Sequence, residues 1–264
     1  MIHPTALIEP DARLGAGTTV GPYALIGARV TLGLDCIVGA QVQLMGHTTV
    51  GAGNRFHAGA VIGDTPQDLK FGGEPTGLRI GVSNVFREHV TIHRSAKAGE
   101  DTVIGDGNLF MVGSHVGHNC QLGSHNIIAN GALLAGHVTL ADRAFISGNC
   151  LVHQFCRVGR LAMMQGGAAI SKDLPPFCIA RGDNSISGLN SVGLRRAGFT
   201  TAQRLEIKRA YHRLFRAGLR LTEALAQAQT EFAGIVAVKE LLEFVAASQR
   251  GVCSDHGRGP VEED

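Results

Sequence analysis

The sequence predicts an all-β parallel β-helix built of six-residue units, followed by a small α-helical C-terminal domain, and three observations carry that expectation. Every sixth residue from Ile104 to Ile170 is apolar: Ile104, Phe110, Val116, Leu122, Ile128, Leu134, Leu140, Ile146, Val152, Val158, Met164 and Ile170. Two places before these rungs stand small or thin residues, among them Asn108, Ser114, Cys120, Asn126, Ala132 and Ala144. From Thr200 the apolar period becomes helical. A period of six fits no helix. It fits a short strand with two alternate residues pointing inward, then a turn, three such units to a triangular coil, with coils stacked at about 4.8 Å.

An earlier ladder runs Ile2, Ile8, Leu14, Val20, Ile26, Leu32, Val38, Leu44, Val50, Phe56 and Ile62, and glycine often follows a rung, as at Gly15, Gly33 and Gly51. Glycine there is expected to permit the sharp corner. The stretch 64–78, DTPQDLKFGGEPTGL, has no rungs and carries two prolines, so it leaves the wall as an extruded loop, the kind of segment that carries function on a rigid scaffold. Ile80, Phe86 and Ile92 resume the ladder, and a shorter excursion, HRSAKAGED, precedes Ile104. Pro175 and Pro176 interrupt the regular ladder after Ile170. Thr200 and Gln203 match a capping box, Ile207, Ala210, Tyr211 and Leu214 form one stripe, and a second helical region spans Leu225 to Val245. The expected organisation is a β-helix over 1–184, a helical domain over 185–250 covering its end, and a polar, disordered tail over 251–264.

Composition bounds the function. Across 264 residues, 36 glycines and no tryptophan suit a narrow interior with many turns. A net charge of +2 gives no argument for nucleic acid, and the absence of a long apolar run argues against stable membrane insertion. Rungs that start at Ile2 leave no room for a secretory leader, so a cytoplasmic location is expected. Of the six cysteines, Cys36, Cys120, Cys150 and Cys156 fall on the small inward position and read as core filler rather than redox or metal groups.

The residue before each rung faces outward, and steps of three units sort these residues into walls. Gln121, Thr139 and Arg157 make a solvent wall; Leu109, Ile127, Phe145 and Met163 make an apolar one; His115, Leu133 and Leu151 make the third. Two apolar walls on one prism predict a cyclic homotrimer in which each buries against a different wall of its neighbour.

Histidines recur at turns, including His47, His57, His89 and His125, which read as surface residues. His118, His137 and His153 differ, because the repeat stacks their turns along one edge, with His115 at the same level. Incidental turn histidines, a metal site between subunits and a general base with substrate-binding neighbours are all open at this point. A ladder that separates side chains by about 5 Å disfavours ligands that must converge to about 2.1 Å on one ion, so no metal is expected. An imidazole that takes a proton from an attacking hydroxyl fits best.

The strings GDTPQDLKFGGEPT, TIHRS, GSHVGHNC, LAGHV, VHQFCRVG, DLPPF and GLRRAGF, in this order from about residue 63 to 200, resemble the UDP-N-acetylglucosamine acyltransferase family that begins lipid A synthesis. The resemblance implies a left-handed β-helix, a trimer, and transfer of a 3-hydroxyacyl chain from acyl carrier protein to the 3-hydroxyl of UDP-N-acetylglucosamine without a cofactor. It implies that His118 is the general base and that the Gly136 N–H stabilises the oxyanion. Likewise it implies sugar and phosphate contacts from His115, His137, His153 and Gln154. Gln67, Asp68 and Lys70 would bind substrate from the extruded loop across the subunit seam, Asn190 and Arg196 would hold the nucleotide, and Gly166 would stand at the acyl-length ruler, or be an ordinary turn glycine. The chain departs from relatives at Asn119, where some have aspartate, and at Ala197, often basic. An N-acyltransferase acting on a 3-amino sugar would use the same groups, and a hexapeptide-repeat metal hydratase is a more distant alternative. The basic run Arg195, Arg196, Arg204, Lys208, Arg209, Arg213, Arg216 and Arg220 is either a solvated face or a dock for the acidic carrier protein.

Overall fold

The computed structural model describes residues 1–255, and their strands form three sheets of nine, eight and ten members that wrap into a three-sided prism. Each wall is parallel, apart from one closing strand, and neighbouring strands pair residues 18 apart, as in Leu109 with Ile127, His115 with Leu133 and Gln121 with Thr139. The walls are those the outward residues define. Every rung from Val20 to Ile170 is buried, as are Cys120, Ala132, Ala144 and the other small inward residues. Burying each large rung contributes about 1.5–3 kcal/mol. Ile2, covered only through its bridge to Val20, is 52% exposed.

Two excursions break the spacing. Partners become 30 apart across the first, where Arg55 pairs with Val85, and 24 apart across the second, where Val85 pairs with Leu109. The first returns to the wall at Gly77 rather than after Leu78, because Leu78 is fully buried and Gly77–Ile80 pairs with His47–Val50. Two side-chain stacks thread these interrupted coils. Phe56, Phe86 and Phe110 stack with ring centroids 4.8 and 4.9 Å apart. Beside them the buried asparagines 54, 84, 108 and 126 form a ladder: Asn84 and Asn108 each donate to the Oδ1 below at 2.8–3.0 Å, and Asn126 N donates to Asn108 Oδ1 at 2.8 Å.

The glycines after the rungs serve close packing rather than turn handedness. Gly15 and Gly33 have no left-handed φ, but a Cβ on Gly15 would come within 2.4 Å of the Gly33 carbonyl carbon, and one on Gly33 within 2.7 Å of Ala52 N. The left-handed residue comes two places later, at Gly17, Asp35 and Gly53.

Past Ile170 the ladder continues one strand further than the prolines suggest. Cys178–Ala180 pairs in parallel with Met163–Met164, while Pro176 sits in the turn against Gly159. Ile186–Leu189 then closes that sheet antiparallel, so helices begin at Ser191, not 185. They are α1 (Ser191–Arg196), α2 (Thr201–Phe215), α3 (Leu221–Glu231) and α4 (Val236–Ala246). The capping box of α2 is present, and Ile207, Ala210, Tyr211 and Leu214 are its buried stripe. The expected second helix is two, separated around Gly234, whose φ of 78° suits glycine. Arg157 lies beneath α4 instead of facing solvent, bonded to Asp173 at 3.0 Å and to the Phe244 carbonyl at 2.9 Å.

The start of the expected disordered tail is ordered packing. Val252 and Cys253 are buried, Asp173 and Val252 form a bridge, and Asp255 accepts from the Tyr211 hydroxyl and from Arg216. Their backbone groups are used by the prism's end, which composition does not reveal. Residues 256–264 lie outside the described residues. No helix among the described residues is long and apolar enough to cross a membrane.

Candidate active site

Five successive coils contribute to one corner of the prism, between the wall of His115 and the wall of Gln121. From the lower end they supply the first excursion, the second excursion, and the turns at 117–120, 135–138 and 153–156. A groove of about 680 Å³ opens there, and its lining includes Gln67, His93, His115, His118, Gly136 and His153. Its wall is apolar where Leu133, Leu151 and Val152 contribute.

The stacking rule places the histidines in adjacent columns rather than one. His118 stands above and below nothing but turns: its column continues to Gly136, while His137 shares a column with Asn119 and Phe155. The rings of His118 and His137 nevertheless meet edge to face at 5.2 Å, and His137 stacks on Phe155 at 4.6 Å. His118 Nε2 points at Gly136, where a Cβ would approach it to 2.7 Å. Glycine is therefore required for the imidazole to occupy this place, and the Gly136 N–H has no backbone partner among the described residues. His153 stays at the groove's far side, its Nδ1 3.2 Å from the Gln154 carbonyl and 3.4 Å from the Arg250 guanidinium.

His93, which sequence reasoning passed over, is a member of the cluster. It is 7% exposed, lines the groove, meets the His115 ring at 5.0 Å, and its Nδ1 has no hydrogen-bond partner. His115 is anchored by Thr91 Oγ1 at 2.7 Å. Burial, reinforced by the charges of His93 and His118, pushes His115 down to about 4. Burial also lowers His93, and it lowers His137 with help from His118 and against Glu100 and Asp68. These three rings are kept neutral near pH 7 and can donate or accept without carrying charge. Among the described residues no three His, Cys, Asp or Glu side chains converge as metal ligands would.

The first excursion folds over its own prism. Gln67 lies in the groove of its own chain, and Asp68 is near enough to His137 to act on its proton affinity. Asp68 Oδ1 accepts from the Lys70 N–H at 2.9 Å, leaving the Lys70 side chain exposed beside the fully exposed Leu69. Asn190 is the N-cap of α1: its Oδ1 accepts from Gly193 N and its Nδ2 donates to the Leu161 carbonyl, both at 2.9 Å. Both ends of the Asn190 amide are thereby occupied within the chain. Asn190 and Arg196 line a different space, of about 670 Å³, on the wall of Ile127, Phe145 and Met163. Gly166 lies on an exposed turn without left-handed φ, and a Cβ there would meet only the Gly148 carbonyl, at 3.7 Å. No turn requirement fixes it as glycine.

The cysteines are interior. All six are free and buried, and burial raises every one, Cys120 to about 12. Cys120, though next but one to His118, is thus no nucleophile. The basic run is partly neutralised, since Arg209 and Arg213 pair with Glu231 and Arg216 with Asp255. Arg195, Arg196 and Lys208 remain exposed.

A three-walled prism of six-residue units is a hexapeptide-repeat β-helix, and the family described as "Bacterial transferase hexapeptide (six repeats)" matches residues 101–136. The family described as "Udp N-acetylglucosamine O-acyltransferase; Domain 2" matches residues 173–253. A Halorhodospira halophila protein named acyl-acyl-carrier-protein UDP-N-acetylglucosamine O-acyltransferase is 47% identical over 95% of this chain and 98% of its own length. A relative of the same name from a Janthinobacterium species is 48% identical over 96% of this chain and 98% of its own. The solved UDP-N-acetylglucosamine acyltransferase of Bacteroides fragilis superposes with a TM-score of 0.91 at 38% identity, covering 96% of this chain and 99% of that one. The Campylobacter jejuni enzyme of that name gives 0.89 at 35% identity over 96% and 99%. The chain belongs to the UDP-N-acetylglucosamine O-acyltransferase family, and its fold is the left-handed parallel β-helix with a helical C-terminal part.

Proposed function

We infer that the protein moves a 3-hydroxyacyl chain from the thioester of acyl carrier protein to the 3-hydroxyl of UDP-N-acetylglucosamine, the first step of lipid A biosynthesis. One observation carries the reading: His118 Nε2 faces the bare backbone of Gly136 inside a groove that is polar at its histidines and apolar along Leu133, Leu151 and Val152. His118 takes the hydroxyl proton as the oxygen attacks the thioester carbon. The Gly136 N–H donates to the oxyanion that forms; in proteases the loss of one such donor costs about 10²–10³ in kcat. The C–S bond then breaks and the imidazolium returns its proton to the thiolate. No residue becomes acylated.

His93, His115, His137, His153 and Gln154 surround the sugar nucleotide, Gln67 and Asp68 close over it, and the apolar wall takes the acyl chain. An oxygen acceptor is favoured over the 3-amino alternative by the names of the relatives, all O-acyltransferases. The metal hydratase is disfavoured by the same relatives. A homotrimer accounts for Leu133 and Leu151, which are 42% and 48% exposed on one wall, and for the separation of Asn190 and Arg196 from the histidine groove. Pairing unlike walls would bring the Arg196 space of one copy towards the His118 groove of the next. Exposed Arg195, Arg196 and Lys208 supply positive charge for the acidic carrier.

The deciding experiment measures transfer to UDP-N-acetylglucosamine by wild type and His118→Ala. Expected is a fall in kcat of about 10³-fold or more with folding intact; retained activity would remove His118 from the base role.

A further inference from the structure

The first excursion returns to the prism at Gly77, and its last residues border a second cavity, of about 360 Å³, on the same corner as the histidine groove but on lower coils. Arg29 and His47 reach it from two turns of the prism, Glu74 and Thr76 from the end of the first excursion, and Arg94 from the start of the second. Arg29 Nη1 lies 2.6 Å from His47 Nε2. A guanidinium only donates, so Nε2 accepts and the ring hydrogen sits on Nδ1, as a further donor. Arg94 donates from Nη1 to the Gly63 carbonyl at 3.1 Å, and its guanidinium lies 5.6 Å from the centre of the Phe71 ring on the first excursion. Each guanidinium carries more N–H donors than these contacts use.

Neither Arg29 nor Arg94 joins an ion pair among the described residues, although other arginines do, as Arg79 with Asp101 and Arg160 with Glu240. Thr76 is 3% exposed, and its hydroxyl has no hydrogen-bond partner among the described residues. The carboxylate of the lining, Glu74, accepts from the Gly72 N–H at 3.0 Å and pairs with neither arginine. Positive charge and donors are therefore in surplus around one small space. A tetrahedral oxyanion answers both, because its oxygens accept from forked guanidinium groups and from a hydroxyl at once.

We propose that this cavity binds one free phosphate-type oxyanion, which bridges Arg29, Arg94 and Thr76 and pins the foot of the first excursion to the prism. Arg29 stands on the prism, Thr76 on the first excursion and Arg94 at the root of the second, so the ion joins three segments of the corner. An ion that binds only the closed arrangement raises its population by mass action. Gln67 and Asp68, on the same excursion, then spend more of their time over the histidine groove. That consequence for activity rests on the acyl-transfer reading; the binding does not.

The test uses the full-length protein at constant ionic strength. Inorganic phosphate is titrated by calorimetry into wild type, Arg29→Gln and Arg196→Gln. Expected is saturable binding in wild type, weakened about 10-fold or more in Arg29→Gln and unchanged in Arg196→Gln, whose side chain lines the other space. Arg29 is exposed, so its replacement leaves the fold intact. Lys70 is exposed at the tip, and trypsin therefore reports the excursion directly: phosphate should slow cleavage after Lys70 in wild type and not in Arg29→Gln. In transfer assays phosphate should lower the KM for UDP-N-acetylglucosamine in wild type alone of these two. Binding that is absent from wild type, or equal in wild type and Arg29→Gln, overturns the proposal, as does cleavage that phosphate leaves unchanged. A His118→Ala variant that stays active while phosphate still protects Lys70 would instead sink the base assignment and leave the anion site standing.

Discussion

The first excursion, residues 65–76, and the second, residues 94–100, leave the same corner of the prism on consecutive coils, yet only the second is knitted into it. The first is held largely by its own short-range bonds, Asp68 to Lys70 N and Glu74 to Gly72 N, and it exposes Leu69 and Lys70 at its tip. The second is tied below, where Arg94 N donates to the Asp64 carbonyl and Ser95 N to that of Gly77, and above, where Ser95, Ala96 and Glu100 grip Asn119. Ser95 is fully buried. Length and proline content mark a loop, whereas its hydrogen bonds decide whether it covers a site or holds one in shape.

Replacing 65–76 by a short Gly-Ser link gives the largest expected effect on that contrast. Steady-state kinetics should register a loss of about 100-fold or more in kcat/KM, since positioning groups leave the groove, while the melting temperature hardly moves. A large drop in melting temperature would erase the distinction between cover and clamp. Next comes the histidine layer that both excursions overlie. His115 is lowered in the folded protein to about 4, so between about pH 6.5 and 4 the unfolded chain binds a proton that the native one refuses. Stability is complete above pH 6.5 and falls as the pH drops towards 4, by up to about 3 kcal/mol from this ring. Denaturant melts at pH 7 and 4.5 should show that loss, and His115→Asn should flatten it. Within the second excursion, Ser95→Ala should cost about 1–2 kcal/mol by chemical denaturation, because the Asn119 amide loses a buried acceptor. Its exposed neighbour provides the control: Lys97→Ala, which breaks the surface pair with Glu100, should change stability by no more than about 0.5 kcal/mol.

The regular prism was legible because its signal is repeated. One polar residue at a rung would bury without a partner, so the six-residue pattern from Val20 to Ile170 is a direct image of the core. The same arithmetic placed His118 against Gly136 and close to His137. His93 escaped because it lies at a strand end just before an excursion, where the count lapses, and nothing local separates a groove histidine from a turn one. Asn190 carries a local cue of its own: an asparagine directly before a helix, accepting from the backbone N–H three places on at Gly193, is the ordinary N-cap signal. The ordered segment around Val252 and Cys253 was hidden by its polar neighbours: its burial depends on the prism end, Asp173 and Ser185 contributing the pairing edges. The break between α3 and α4 had a visible cue in Gly234.

The stacked phenylalanines and asparagines have a bearing on how such a chain threads itself. Identical six-residue steps are interchangeable, and a strand displaced by one step would still offer an apolar side chain to the interior. Where the coils are lengthened by the two excursions, that ambiguity is greatest. Three stacked aromatic rings and a run of linked carboxamides oppose it: slippage would set a phenyl ring against an isoleucine and break the links from Asn84 and Asn108 to the amides below them. These few positions act as a key for correct winding, set at the coils where the catalytic corner is assembled.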